Sequence, residues 1–84
     1  MTLAVINADK LVDEALSRRG YHGKTMGERL VSAQRILSDN DSVWHAHKLR
    51  NRLVHENDHP ILKPADAKKA LASFKQALRD LGAL

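Results

Sequence analysis

The chain has 84 residues, enough for one small domain and too few for two independent hydrophobic cores. It has no cysteine, which excludes disulfide frameworks and thiolate metal sites and fits a reducing cytoplasm. The net charge of +4 would tolerate a polyanionic partner, although a solvated helical surface would carry the same charge. No apolar stretch approaches the roughly 18 residues of a membrane span, so we expect a cytoplasmic chain without a membrane segment.

Two helices are predicted in the first half of the chain. Apolar residues recur at helical spacing from about Thr2 to Arg19, and Gly20 is a natural stop. After a glycine-rich loop, Thr25 and Glu28 have the spacing of a capping box, with Thr25 as N-cap and Glu28 reaching back. The apolar pattern that follows predicts a second helix to about Ser38.

Two further helices are predicted in the second half. Residues 38–42 are rich in cap formers, so the third helix is expected from about Ser42 to residue 56 or 57, before Pro60. A fourth helix is predicted from Pro64 to about Leu81, with Gly82 after it. Four amphipathic helices with short connections predict one all-α domain over residues 1–84, a small antiparallel four-helix bundle.

The third helix has a core face with a charged edge. On a helical wheel its core arc contains Val43, Ala46, Leu49, Leu53 and Val54, and Arg50 lies at the edge of that arc. A neighbouring arc of the wheel contains Trp44, Asn51 and His55. His47 lies on one side of this arc and Lys48 on the other. An indole outside the core needs cover, so this arc predicts a partner face at Trp44, His47 and Lys48.

The residue types on this helix suit phosphate chemistry. An arginine offers a fork of donors that matches phosphate oxygens, a histidine moves protons near neutral pH, and an asparagine orients groups through its amide. Arg50, Asn51 and His55 would therefore suit cleavage of RNA by its own 2′-hydroxyl, with no metal or cofactor. The spacing by itself is common in helices, and the alternative is an Arg50 paired with a carboxylate beside a solvated His55.

These residues also resemble a known family signature. Residues 50–55, RNRLVH, follow the pattern Arg-polar-x-x-x-His near the end of a late bundle helix, which is the motif of HEPN (higher eukaryotes and prokaryotes nucleotide-binding) domains. The surrounding residues 43–56 are similar to a W-x-A-H-K-x-R-N-x-x-x-H-E run in bacterial HEPN-like proteins. The likeness extends to residues 8–16 and 25–30, while the last helix matches only in pattern. The chain is shorter than many HEPN domains.

The resemblance implies a function that the spacing does not. HEPN domains are all-α bundles that usually form homodimers, in which the motif residues of both copies meet in one cleft. Many are metal-independent endoribonucleases in toxin–antitoxin or other defence systems, so Arg50 and His55 would be catalytic, Asn51 would assist, and RNA and an antitoxin protein become possible partners. Other members are non-catalytic dimerisation or binding modules, and a plain helical adaptor remains a further alternative.

Overall fold

The computed structural model describes residues 1–55 and 62–84, and in these residues the regular secondary structure is entirely helical. The helices are α1 (Thr2–Arg18), α2 (Met26–Ser32), α3 (Asn40–His55) and α4 (Pro64–Asp80). The predicted all-α four-helix bundle is therefore confirmed. The predicted end of the third helix at residue 56 or 57 and the expected break at Pro60 lie outside the described residues.

The helix ends have local chemical causes. Gly20 and Gly82 adopt positive φ angles of 83° and 70° just after α1 and α4, a conformation that costs a glycine little. At the start of α2 the Thr25 hydroxyl accepts a hydrogen bond from the Glu28 backbone N–H at 3.1 Å. The Glu28 carboxylate reaches back, but it accepts from the backbone N–H of Lys24, at 2.8 Å, rather than from the N-cap residue.

The second helix is shorter than the sequence predicts. The helix α2 ends at Ser32 instead of Ser38, and the chain continues through tight turns in which Gln34 and Ile36 donate to carbonyls three residues back. Buried Ala33 and Leu37 continue the apolar pattern through these turns, which explains why the pattern predicted a longer helix.

The start of α3 is earlier than predicted because Asp39 caps it. The Asp39 carboxylate accepts hydrogen bonds from the backbone N–H and the hydroxyl of Ser42, at 3.1 and 2.7 Å. The hydrogen bond from the Ser42 hydroxyl is the main cause that lowers the pKa of Asp39. The helix therefore begins at Asn40, two residues before the predicted start.

The three long helices alternate in direction. Arg19, after α1, donates from Nη1 to the Leu81 carbonyl after α4 at 3.0 Å, so the C-terminal ends of α1 and α4 meet. Ser38, before α3, donates its backbone N–H to the Asp80 carboxylate near the end of α4 at 2.8 Å. The helix α3 therefore runs opposite to both α1 and α4, and the short α2 packs against α1 and α3.

The core lies between these helices. Its largest fully buried side chains come from α1 and from α4 with the residue after it: Val5, Val12, Leu16, Phe74 and Leu81. Alanines at 67, 70 and 77 line the inner face of α4 and let the neighbouring helices approach closely. Within the described residues, no helix combines the length and apolar character needed to cross a membrane.

Candidate functional site

The site is built around a buried carboxylate on the core-facing side of α1. Asp9 is 2% exposed and lies between Val5 and Val12 on the inner face of the helix. A carboxylate buried this deeply needs hydrogen bonds and an opposite charge, because its desolvation is expensive. The helix α3 supplies both from His47 and Arg50.

His47 provides the closest contact to Asp9. Its Nδ1 lies 2.8 Å from Asp9 Oδ1, and its side chain is 10% exposed. Since an ionised carboxylate only accepts, the proton of this hydrogen bond belongs to His47 Nδ1. In the neutral imidazole Nε2 is then an acceptor, and it faces the Asn51 amide nitrogen at 3.5 Å.

Arg50 and Asn51 complete the group. Arg50 Nη1 donates to Asn51 Oδ1 at 3.0 Å, and Arg50 Nε lies 3.3 Å from the second carboxylate oxygen of Asp9. This last contact is an ion pair without hydrogen-bond alignment, since Nε is a buried donor with no hydrogen-bond acceptor in the described part of the chain. Asp9, His47, Asn51 and Arg50 thus form a closed loop of polar contacts, which we call the Asp9 ring.

The Asp9 ring leaves part of Arg50 accessible. Nε is buried, but the side chain as a whole is 29% exposed, so the exposed surface belongs to other atoms of Arg50. A guanidinium held in this way presents its remaining N–H donors in a fixed orientation, which suits a small anion.

His55 lies on the outer surface of α3 and not in the Asp9 ring. It is exposed and forms one line with Trp44, Lys48 and Asn51, at spacings of four, three and four residues, which we call the α3 stripe. Trp44 is 36% exposed; its ring centroid lies 5.9 Å from that of His47 and 5.7 Å from the Lys48 ammonium. The α3 stripe is therefore a surface on which an aromatic ring and two basic groups are available to a partner.

The predicted site residues separate into two groups. Arg50 and Asn51 meet in the Asp9 ring, whereas His55 points elsewhere, because five residues along a helix correspond to a rotation of about 140° and a rise of about 7.5 Å. Of the predicted partner face, Trp44 and Lys48 are exposed. His47 is not on that face in the single chain, because its hydrogen bond with Asp9 holds it inside.

Asp9 is the site residue that the sequence reasoning did not single out. The available signal was its position on α1, four residues after Val5 and three before Val12, where an apolar side chain is expected. An acid at such a position indicates a buried partner, but the wheel of one helix cannot say which residue of another helix supplies it.

A second polar contact anchors α2 to α1 beside the site. Arg29 Nε and Nη2 bind the two oxygens of Asp13 at 2.6 and 3.0 Å, and Nη1 donates to the Gly23 carbonyl at 2.7 Å. The hydrogen bond to Asp13 raises the pKa of Arg29. Because Asp13 is one helical turn from Asp9, this pair fixes α2 against the same part of α1.

A surface groove lies elsewhere, between α3 and α4. It has a volume of about 340 Å³, and its lining includes basic His45, Arg52 and Lys69 together with acidic Asp66. The described residues contain no cluster of three His, Asp or Glu side chains able to hold a metal ion.

Comparisons with known proteins add no assignment. No protein-family model matches the chain, and neither the curated proteins nor the solved structures contain a match. The functional conclusions below therefore depend on the residues and their geometry, together with the motif resemblance.

Proposed function

We propose that this chain is a HEPN-like domain that forms a homodimer through the α3 stripe and cleaves RNA without a metal ion. The observation that carries the proposal is the placement of Arg50, whose guanidinium is held by Asp9 and Asn51 while its side chain stays 29% exposed. An oriented arginine can stabilise charge on a phosphate, and exposed His55 can transfer protons; cleavage by a 2′-hydroxyl uses both.

The reaction needs a second copy of the chain. Within one chain Arg50 and His55 diverge on α3, so a single phosphate cannot easily contact both. A two-fold axis beside the α3 stripe would bring two His55 side chains toward one cleft, since the same patch meets itself in such a dimer. Trp44, which is 36% exposed, would gain the cover that a large aromatic surface favours.

The chemical step follows from these roles. One His55 removes the proton of the ribose 2′-hydroxyl, and the 2′-oxygen forms a bond to phosphorus. Arg50 stabilises the negative charge that develops on the phosphate oxygens. The bond from phosphorus to the 5′-oxygen breaks while the second His55 donates a proton to that oxygen, which leaves a 2′,3′-cyclic phosphate and a 5′-hydroxyl.

The experiment combines cleavage with oligomeric state. The full chain is incubated with a 5′-labelled single-stranded RNA of mixed sequence in excess chelator, and its mass is measured by light scattering. We expect a dimer, chelator-resistant cleavage with cyclic-phosphate ends, and a loss of at least about 100-fold in His55→Ala and Arg50→Ala. His45→Ala and Arg35→Ala are matched controls, because both residues are exposed and lie outside the Asp9 ring and the α3 stripe.

Retained cleavage in His55→Ala would overturn the catalytic assignment. Growth arrest on expression of the wild type, but not of His55→Ala, would further support a toxin or defence role. An antitoxin that binds the α3 stripe should suppress the arrest.

One observation favours a second candidate, a non-catalytic binding or dimerisation module. Arg50 is ion-paired with Asp9 of α1, and this pairing reduces the charge available for catalysis. A dimer that binds the same RNA with no cleavage in the presence or absence of chelator would select this candidate.

A further inference from the structure

We propose that Asp9 and His47 are positioning residues, which act through Asn51 and the Asp9 ring to fix the guanidinium of Arg50 for an anionic ligand. As a statement about catalysis the inference rests on the proposed function. As a statement about the orientation of Arg50 it can be tested without any RNA.

The directions of the hydrogen bonds leave one consistent arrangement. If Asp9 accepts from His47 Nδ1, the Nε2 of a neutral His47 is an acceptor, and the donor that faces it at 3.5 Å is the Asn51 amide nitrogen. The Asn51 oxygen is then directed to Arg50 Nη1, which donates to it at 3.0 Å. With the opposite amide orientation, Asn51 would turn its NH₂ group toward a guanidinium that can only donate.

The burial of Asp9 supports a role beyond packing. Replacing a whole buried ion pair by apolar residues is often neutral or stabilising, so packing alone would be satisfied by apolar side chains at positions 9, 47 and 50. The Asp9 ring instead links the interior of α1 to Arg50, whose side chain is 29% exposed, and a positioning role explains this arrangement.

The contact between Arg50 Nε and the Asp9 carboxylate also supports a positioning role for Asp9. This donor is buried 3.3 Å from the Asp9 carboxylate without a hydrogen bond, so the attraction that holds it is mainly electrostatic. Removing the charge of Asp9 should therefore release Arg50 even where the shape of the side chain is kept. Asp9→Asn makes that change, because its oxygen can still accept from His47 while its NH₂ group faces Nε.

The direct test is nuclear magnetic resonance on the ¹⁵N-labelled full chain. We expect His47 to carry its proton on Nδ1 at neutral pH, and the Arg50 Nε–H to give a resonance protected from exchange. In Asp9→Asn that resonance should broaden or exchange at least about 10-fold faster, whereas the exposed control Asp41→Asn should leave it unchanged. A proton on His47 Nε2, or an Arg50 resonance indifferent to Asp9→Asn, overturns the inference.

Two further variants keep the test decisive if Asp9→Asn does not fold. His47→Asn retains a donor toward Asp9 and loses the acceptor for Asn51. His47→Gln retains an acceptor for Asn51 and loses the donor toward Asp9. His45→Gln is the exposed control. Each should increase exchange at Arg50 Nε–H, because each opens the Asp9 ring at one contact. Unchanged exchange in both variants contradicts the inference.

Activity separates this inference from the proposed function. If the wild type cleaves RNA, Asp9→Asn should lower kcat at least about 10-fold and leave KM within about twofold, because a loosened Arg50 loses transition-state contacts first. An unchanged kcat would show that the Asp9 ring does not serve the reaction. If the wild type does not cleave RNA, the ribonuclease proposal fails while the resonance measurements still decide the orientation of Arg50.

Discussion

Two glycines around the start of α2 lie against different kinds of neighbour. A Cβ atom added at Gly27 would lie 2.9 Å from the outer edge of the Trp44 indole, whereas one added at Gly23 would lie 2.8 Å from the Arg29 backbone nitrogen. An indole that is 36% exposed can move outward, but a helix backbone cannot yield without moving α2.

Alanine at these two positions should therefore have different effects. We expect Gly27→Ala to change stability by no more than about 1 kcal/mol, because the gain in helix propensity offsets the cost of moving the indole. It should shift the fluorescence of Trp44, the one tryptophan of the chain, toward longer wavelength. Gly23→Ala should cost about 1–3 kcal/mol in urea denaturation. Equal costs for the two variants would contradict this assignment of neighbours.

At the scale of elements, Asp80 connects the end of α4 to the start of α3. Its carboxylate accepts from the backbone N–H and the hydroxyl of Ser38, both at 2.8 Å, and from the Gln76 amide at 3.0 Å. The hydrogen bond from the Ser38 backbone N–H is the main cause that lowers the pKa of Asp80, followed among the stabilising contacts by the Ser38 hydroxyl and Gln76.

This contact should make stability depend on pH. A carboxyl whose pKa is lowered on folding adds stability above its unfolded pKa of about 3.9, and that stability is lost as the pH falls toward the folded value. Asp80→Asn should cost about 1 kcal/mol at pH 7, and the difference in stability from the wild type should shrink as the pH falls below about 4. Urea denaturation from pH 7 into the acid range measures it, with exposed Asp66→Asn as control; a constant difference would contradict the prediction.

The helix α2 also depends on tertiary contacts for its stability. The helix α2 has only seven residues, too few to be stable in isolation, and it is held by the Arg29–Asp13 pair and by buried Met26 and Leu30. Its capping box was predictable because the donor and acceptor are three residues apart. Its end at Ser32 was not, because the turns after it bury the same apolar residues that a longer helix would bury.

At the scale of the whole molecule, Phe74 is central to a small core. It is fully buried on α4, which packs against both α1 and α3. Truncating a buried phenylalanine costs about 3–5 kcal/mol, which is a large part of the roughly 5–15 kcal/mol that stabilises a typical domain.

Phe74→Ala should therefore leave the chain largely unfolded at 37 °C, and Phe74→Leu, which retains most of the volume, should remain folded. Thermal denaturation followed by circular dichroism distinguishes the two. A melting temperature for Phe74→Ala within a few degrees of the wild type would show that the core tolerates the cavity.

Dimerisation, if it occurs through the α3 stripe, should raise the melting temperature with protein concentration, because association stabilises only the folded chain. Trp44→Ala should weaken this dependence, and Ile36→Ala, on an exposed side chain outside the α3 stripe, should leave it unchanged. A melting temperature independent of concentration in the wild type would contradict the proposed dimer.

Features that depend on near neighbours in the chain could be predicted from the amino-acid sequence. The α-helical class, the four segments, the cap at Thr25 and the glycines after α1 and α4 follow from periodicity and from contacts a few residues apart. The position of Arg50 at the edge of the core face of α3 was also predictable from the wheel of that helix.

The contacts of Arg50 could not be predicted, because they depend on how α1 packs against α3. Its partner Asp9 lies 41 positions away in the sequence, and His47 lies 38 positions from Asp9, so no local pattern relates them. The packing of α1 against α3 places one carboxylate where it removes His47 from the predicted partner face, holds Arg50, and leaves His55 outside. The physical reason is that a buried charge takes its partners from whichever helix the core packs beside it.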